Sequence, residues 1–214
     1  MTTRIRPMRA TMWALVLMMF AAVTANATSF KKQATVVDLL SQSELIIHGT
    51  VKSVTDGIDA RGIPYTEITI HVSEAIKGQA SGDYTFRQFG LLKPRKMADG
   101  CTNLMVTPAA WATYSTGEET ILFLYKAAAW TGLRTTTALG QGKFKVKMGG
   151  AANHINNAGL FDGVQVDQTL LGDTEKRLMA TKTGAVNSQG FVSLLKQAVN
   201  GKWVEKGQMK NAKQ

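Results

Sequence analysis

Cysteine occurs once, at Cys101, in a chain of 214 residues. A single thiol cannot close an intramolecular disulfide, so stability has to come from buried apolar surface. Cys101 itself reads as a buried or idle thiol, with an intermolecular disulfide or a nucleophile as the alternatives. Histidine occurs only at His48, His71 and His154, and proline four times. No G-x-S-x-G, H-E-x-x-H, P-loop or C-x-x-C pattern is present, which removes the common hydrolase, zinc and nucleotide signatures. Repeats of about 20–50 residues are missing too, which argues against a solenoid. Long apolar runs are scarce. The longest, Met12 to Val23, falls well short of the roughly 20 residues that a membrane-spanning helix needs.

What surrounds that run explains it. Arg4, Arg6 and Arg9 precede it and Ala25-Asn26-Ala27 follows, the three parts of a secretory signal peptide. Residues 1–27 are therefore expected to be removed near Ala27, leaving a periplasmic or secreted bacterial protein with no membrane span. Removing them lowers the formal charge from +10 to +7. Positions 28–173 hold 14 basic and 13 acidic residues, whereas 174–214 hold eight and two. The excess sits at the C-terminal end, and residues 201–214 read as a basic, disordered tail able to meet an anionic envelope polymer.

Between these ends the pattern is mainly β. VVDLLSQSE (Val36 to Glu44) clusters its apolar residues as a short helix would. LIIHGTVKSV then alternates, with Leu45, Ile47, Gly49 and Val51 on one face and Ile46, His48, Thr50 and Lys52 on the other. YTEITIHVSEAIKG alternates likewise, and the two segments predict an antiparallel hairpin with one buried side. Favourable cross-strand partners suggest a register that sets Lys52 against Glu67, Thr50 against Thr69, and His48 against His71. GDYTFRQFG (Gly82 to Gly90) is a third strand, and TILFLYKA (Thr120 to Ala127) reads as a strand buried on both faces. GLRTTTALG and GKFKVKMGG read as a further strand pair joined at Gly140-Gln141-Gly142. The expected domain is thus a β-barrel over 28–148, followed by a loop-rich extension over 149–200. That extension carries a short helix around Thr174 to Ala180 and an amphipathic one from Asn187 or Ser188, with Phe191, Leu194, Leu195, Ala198 and Val199 on its stripe.

The succession SELIIHGTVKSV, a turn, YTEITIHVSEAIKG and GDYTFRQFG resembles the opening of netrin-like domains, the family that includes the tissue inhibitors of metalloproteinases. Gly117-Glu118-Glu119, Leu122 to Tyr125 and Gly140 to Phe144 are similar to stretches of uncharacterised exported bacterial proteins. The resemblance implies an OB-type antiparallel β-barrel with a short N-terminal helix and a C-terminal helix, and a role in binding a secreted protease. The inhibitors' zinc-binding N-terminal cysteine has no counterpart here, because the expected mature chain starts Thr28-Ser29-Phe30.

Three functions follow as expectations. The first is a non-enzymatic domain that engages a protein partner through the long connection Leu91 to Glu119, with Lys93, Arg95, Lys96, Trp111 and Tyr114 as contact residues. The second is a metal-dependent or thiol enzyme using His48 and His71, or Cys101; two histidines alone are too few for a zinc site. The third is an envelope-polymer module acting through the tail. No motif implies a cofactor. Export and a near-neutral barrel argue against nucleic acid.

Overall fold

The computed structural model describes residues 33–212, so the expected signal peptide lies outside the described residues. The first described element is helix α1, Val36–Gln42, and its start is set by a reciprocal cap. Thr35 Oγ1 accepts the Asp38 backbone N–H at 3.2 Å while Asp38 accepts the Thr35 N–H at 3.0 Å. Its apolar side, Val36, Val37, Leu39 and Leu40, is buried.

Strands β1 (Leu45–Ile58) and β2 (Pro64–Lys77) form the expected hairpin, and β3 (Gly82–Phe89) adds to it. The register between β1 and β2 is not the expected one. Thr50 faces His71, Val51 faces Ile70, and His48 faces Glu74. The cause lies in the turn and in two irregularities. The Asp59 carboxylate accepts the N–H groups of Arg61 at 2.9 Å and Ile63 at 2.8 Å, so the loop closes with Ile58 opposite Pro64. Lys52 is then left without a partner between Val51 and Ser53, and the ladder slips again beside His48. Gly49 sits at that second slip, where an added Cβ would lie 2.3 Å from the His71 carbonyl oxygen. The favourable pairs do form, but with β3. Thr69 bonds Thr85 at 2.8 Å, Glu67 accepts from Arg87 at 2.7 Å, and Lys52 reaches Asp83 at 2.7 Å.

Four further short strands complete the main sheet: β6 (Glu119–Leu124), β7 (Lys143–Lys147), β8 (Gly150–Ala152) and β10 (Val186–Asn187). Its order is β10-β8-β7-β6-β1-β2-β3, antiparallel throughout. Strands β3 and β10 are its two ends, and no closed barrel occurs among the described residues. The expected strand GLRTTTALG is instead a loop touching β6 through a single bridge, Leu124 to Thr136. It breaks because Ala138 and Leu139 turn left-handed, at φ 51° and 58°, into a 3-10 turn over Leu139–Gly142. Gly142 packs so tightly there that a Cβ would meet the Thr137 carbonyl at 2.2 Å.

The sheet is buried on both faces, not one. Leu45, Ile47, Val51, Ile68, Ile70, Phe86, Leu122 and Leu124 fill one cluster, closed over by Ala112 and Tyr114. The alternate residues Ile46, Ile121, Phe123, Phe144 and Val146 fill the other, against α1 and the C-terminal helix α3 (Ser188–Gly201). Asn187 caps α3 by accepting the Gly190 N–H at 2.8 Å, and Phe191, Leu194, Leu195 and Ala198 enter the core as their spacing predicts.

Residues 149–200 are thus no appendage. They supply β8, β10, α2 (Asp173–Met179) and α3 to the same unit, together with β9 (Val164–Val166). The expected disordered tail is likewise ordered through Ala212. Lys202 ends α3 in the left-handed region at φ 54°, Trp203 and Met209 are buried, and β11 (Met209–Asn211) pairs with β9. Asn211 then donates to Asp38 at 3.0 Å and accepts from Thr35 at 2.8 Å, fastening the chain's end to the cap of α1. Two apolar residues at the right places outweigh the polar composition between them. No helix among the described residues is long and apolar enough to cross a membrane.

Candidate functional site

The connection from Leu91 to Glu118 holds a small arm built on β4 (Arg95–Lys96) and β5 (Thr102–Asn103). Its root is firm. Leu91 is buried and exchanges backbone hydrogen bonds with Met105 and Thr107, both at 2.9 Å. Asp56 on β1 accepts the Leu92 N–H at 2.8 Å and forms an ion pair with the Arg95 guanidinium. Beyond that root the arm shows apolar side chains to solvent: Leu92 is 54% exposed, Met97 36%, Leu104 70% and Met105 47%. Lys93 and Lys96 stand exposed beside them. A second loop ends nearby on the same hairpin, because Arg61 donates to the Trp130 carbonyl at 2.8 Å and lies 5.3 Å from its ring. Trp130 is 76% exposed. Among the described residues, five of the six large apolar side chains that face solvent therefore sit on two loops tied to β1 and its turn, at Asp56 and Arg61. Single exposed apolar residues are ordinary; this grouping is the informative feature.

The sequence-derived contact residues divide on this structure. Lys93 and Lys96 are exposed on the arm, and Arg95 is half-buried against Asp56. Trp111 is half-buried edge-on to Phe89, with ring centres 6.4 Å apart. Tyr114 is not a surface residue. It is 9% exposed, packs edge-on to Phe86 at 5.9 Å and belongs to the core. Burial drives its phenol pKa far above the ordinary value. Leu92, Met97, Leu104, Met105 and Trp130 were missed. Their only sequence signal is apolar residues standing in turn-rich segments without a helical or strand period.

The histidines are not opposed, since the register that would pair them does not form. His48 Nε2 lies 2.8 Å from Glu119 Oε1, and His71 Nδ1 lies 2.9 Å from Asp83 Oδ1. No group of three or more potential metal ligands occurs among the described residues. His48 nevertheless lines an open groove of about 830 Å³ between the sheet and α3. Glu119, hydrogen-bonded to His48, and the Lys196–Glu74 ion pair face it. Ser193 and Gln197 join them from α3 over a floor that includes Val146 and Val192. Cys101 is exposed at the tip of the arm, not buried.

A second pocket, about 550 Å³, opens between β7 and the segment Trp111 to Ser115. Alternation on β7 sends Phe144 and Val146 into the core and Lys143, Lys145 and Lys147 to this side. Glu118 is buried beneath them. It pairs with Lys143 and receives Lys145 at 2.7 Å, although its Oε1 makes no hydrogen bond of regular geometry. Burial lowers the Lys143 pKa below the ordinary lysine value, opposed by its hydrogen bond to Glu118.

Comparisons with protein-family models, with curated proteins and with solved structures found no match to this chain.

Proposed function

We propose that this chain is an exported, non-enzymatic domain that binds a protein partner in the periplasm or outside the cell through the arm over residues 91–106. The observation that carries the reading is the group of exposed apolar side chains, Leu92, Met97, Leu104 and Met105, on a firmly rooted arm. Leaving such residues in water forgoes about 1.5–3 kcal/mol for each side chain that a partner would bury. Lys93 and Lys96 beside them suit an apolar cleft with an acidic rim, and Trp130 is the kind of residue that dominates interface energy. A secreted protease is the first partner class to test.

The OB-type reading belongs to the same proposal. The run β3-β2-β1-β6-β7 supports it, since an OB-type barrel opened between its third and fifth strands would have that order. The test is capture of partners from the secreted proteome, followed by a measured affinity for whichever protein is enriched. Wild type is expected to bind and Leu104→Asp/Met105→Asp to fail; equal binding by both would remove the arm from the account.

An enzyme working through His48 is a second reading, favoured by its hydrogen bond with Glu119 in a groove of about 830 Å³. If Nε2 donates to Glu119, Nδ1 is left as a proton acceptor toward that space. Turnover on any hydrolase substrate panel that His48→Gln abolishes would establish it. A polymer-binding role would now have to use Lys202, Lys206 and Lys210 as exposed points on a folded surface.

A further inference from the structure

The pocket between β7 and Trp111 differs from the groove at His48 in one decisive respect. The groove sets two carboxylates, Glu119 and Glu74, against one lysine, Lys196, with His48 hydrogen-bonded to Glu119. The pocket is lined by three lysines and one carboxylate. Glu118 occupies Lys143 and Lys145 from beneath, and no ion pair forms at Lys147 among the described residues. Two positive charges are therefore left over in a concave space, where they act together on an anion more strongly than they would on an open surface.

The shape of the space is also particular. Gly140, Gly150 and Ala152 line it together with Ala112 and Ala185, so little side-chain volume enters it. Some of that smallness is enforced. A Cβ on Gly140 would sit 2.9 Å from the His154 ring, and one on Gly150 would sit 3.1 Å from Ala185. Trp111 forms an aromatic wall, held in place by Phe89, while Ser115 and His154 offer hydrogen-bonding groups at the rim. A volume of about 550 Å³ falls within the range of small-molecule sites.

We infer that this pocket binds a small ring-bearing carboxylic acid, its carboxylate held by Lys145 and Lys147 and its ring laid on Trp111. The amine of Lys143 is mostly buried, donates to the Thr113 carbonyl and lies 4.9 Å from the Tyr114 ring, so it acts as a fixed charge behind the ligand. An aromatic acid and a sugar acid share this chemistry, since both join an anionic group to a face that stacks on an indole. The site is separate from the arm over 91–106, so either assignment can fail without the other.

Calorimetric titration of the purified protein tests it with indole-3-acetate and glucuronate as the two acids. Their neutral counterparts, indole-3-acetamide and glucose, and inorganic phosphate serve as comparisons. At least one acid should bind with a Kd on the order of 0.1–1 mM, as expected for ligands of this size. Its neutral counterpart should bind about tenfold more weakly or not at all, and the acid's affinity should fall with salt. Lys147→Ala and Trp111→Leu should each weaken the acid by about fivefold or more, a loss of roughly 1 kcal/mol. Ala152→Leu should close the pocket, whereas Lys176→Ala, exposed on α2 and outside the pocket, should leave the acid's affinity unchanged. Which of the two acids binds identifies the natural class. The inference is overturned if neither acid binds below about 10 mM, if the neutral compounds bind equally, or if phosphate binds as tightly as the better acid. Thermal melts of each variant separate lost binding from lost folding, and a folded Ala152→Leu that still binds counts against the pocket.

Discussion

Met209 gives the sharpest test of how the chain ends. It lies in a stretch rich in Lys, Gly and Gln, yet it is fully buried and pairs with Val166 on β9. Cutting it to alanine removes three heavy atoms beyond Cβ from the helix-side core, which contains Trp203, Phe161 and Leu171. Loss of transfer energy plus the cavity left behind costs about 2–5 kcal/mol for Met→Ala at a fully buried site. For a unit of this size that lowers Tm by roughly 5–15 °C. Urea unfolding followed by circular dichroism should show the midpoint falling while the slope stays constant, because the area exposed on unfolding hardly changes. Truncation after Lys202 removes Trp203 as well, and the combined loss approaches the roughly 5–15 kcal/mol that holds a domain together. That protein should not fold cooperatively. Lys206→Ala and Lys210→Ala, at exposed positions, should stay within about 0.5 kcal/mol of wild type. If Met209→Ala also stays within about 0.5 kcal/mol, the segment from Gly201 is a free tail after all and the packing argument is refuted.

Other outcomes follow from single sites. Glu118→Ala leaves Lys143 and Lys145 facing each other with no carboxylate between them, and should cost about 3 kcal/mol in chemical denaturation; replacing Lys143 by Met in that background should recover part of it. Gly49→Ala drives a methyl group into the His71 carbonyl and should destabilise by about 1–3 kcal/mol in the same assay. Asp59, Asp83 and Asp167 all titrate below the ordinary value of 3.8, held there first by the Ile63 N–H, by Lys52 and by Thr169 respectively. Depressed carboxylates stabilise the fold above their unfolded pKa and lose that contribution as pH falls through the folded one. Stability should therefore be level above about pH 5 and decline below about pH 4, less steeply in Asp83→Asn.

Much of this fold was legible because local chemistry and tertiary packing agree in the segments concerned. The apolar clustering of α1, the long β1–β2 hairpin, the doubly buried β6 and the Asn187-capped α3 all carry their own signals. The β1–β2 register was misread for a physical reason. Cross-strand preferences for Thr69, Glu67 and Lys52 are real, but β2 has two neighbours, and β3 satisfies them. The bulge at Lys52 shifts the inward phase of β1 by one residue, so Val51 and Val54 pack on the same cluster, and the strand beyond it has too few buried apolar residues for alternation to reveal the change. The second buried face was visible in the unbroken run Leu45-Ile46-Ile47, which alternation alone does not explain. Trp203 and Met209 were hidden because a lone apolar residue among lysines has no period.

The site was less legible than the fold. Lys93 and Lys96 are exposed as expected of residues in a long connection with clustered charge, while Tyr114 was misplaced because an aromatic residue in a loop reads the same whether it faces a partner or closes a core. The lysines of β7 were visible as alternation, but the pocket they rim depends on Trp111 and Glu118 from another part of the chain.

The most direct measurement is the affinity of the enriched secreted partner for wild type and for Leu104→Asp/Met105→Asp, both shown by thermal melting to be folded. Two exposed apolar side chains at an interface, each worth about 1–2 kcal/mol, predict a loss of roughly 30-fold to 1,000-fold in Kd. An unchanged Kd in the folded double variant would contradict the account.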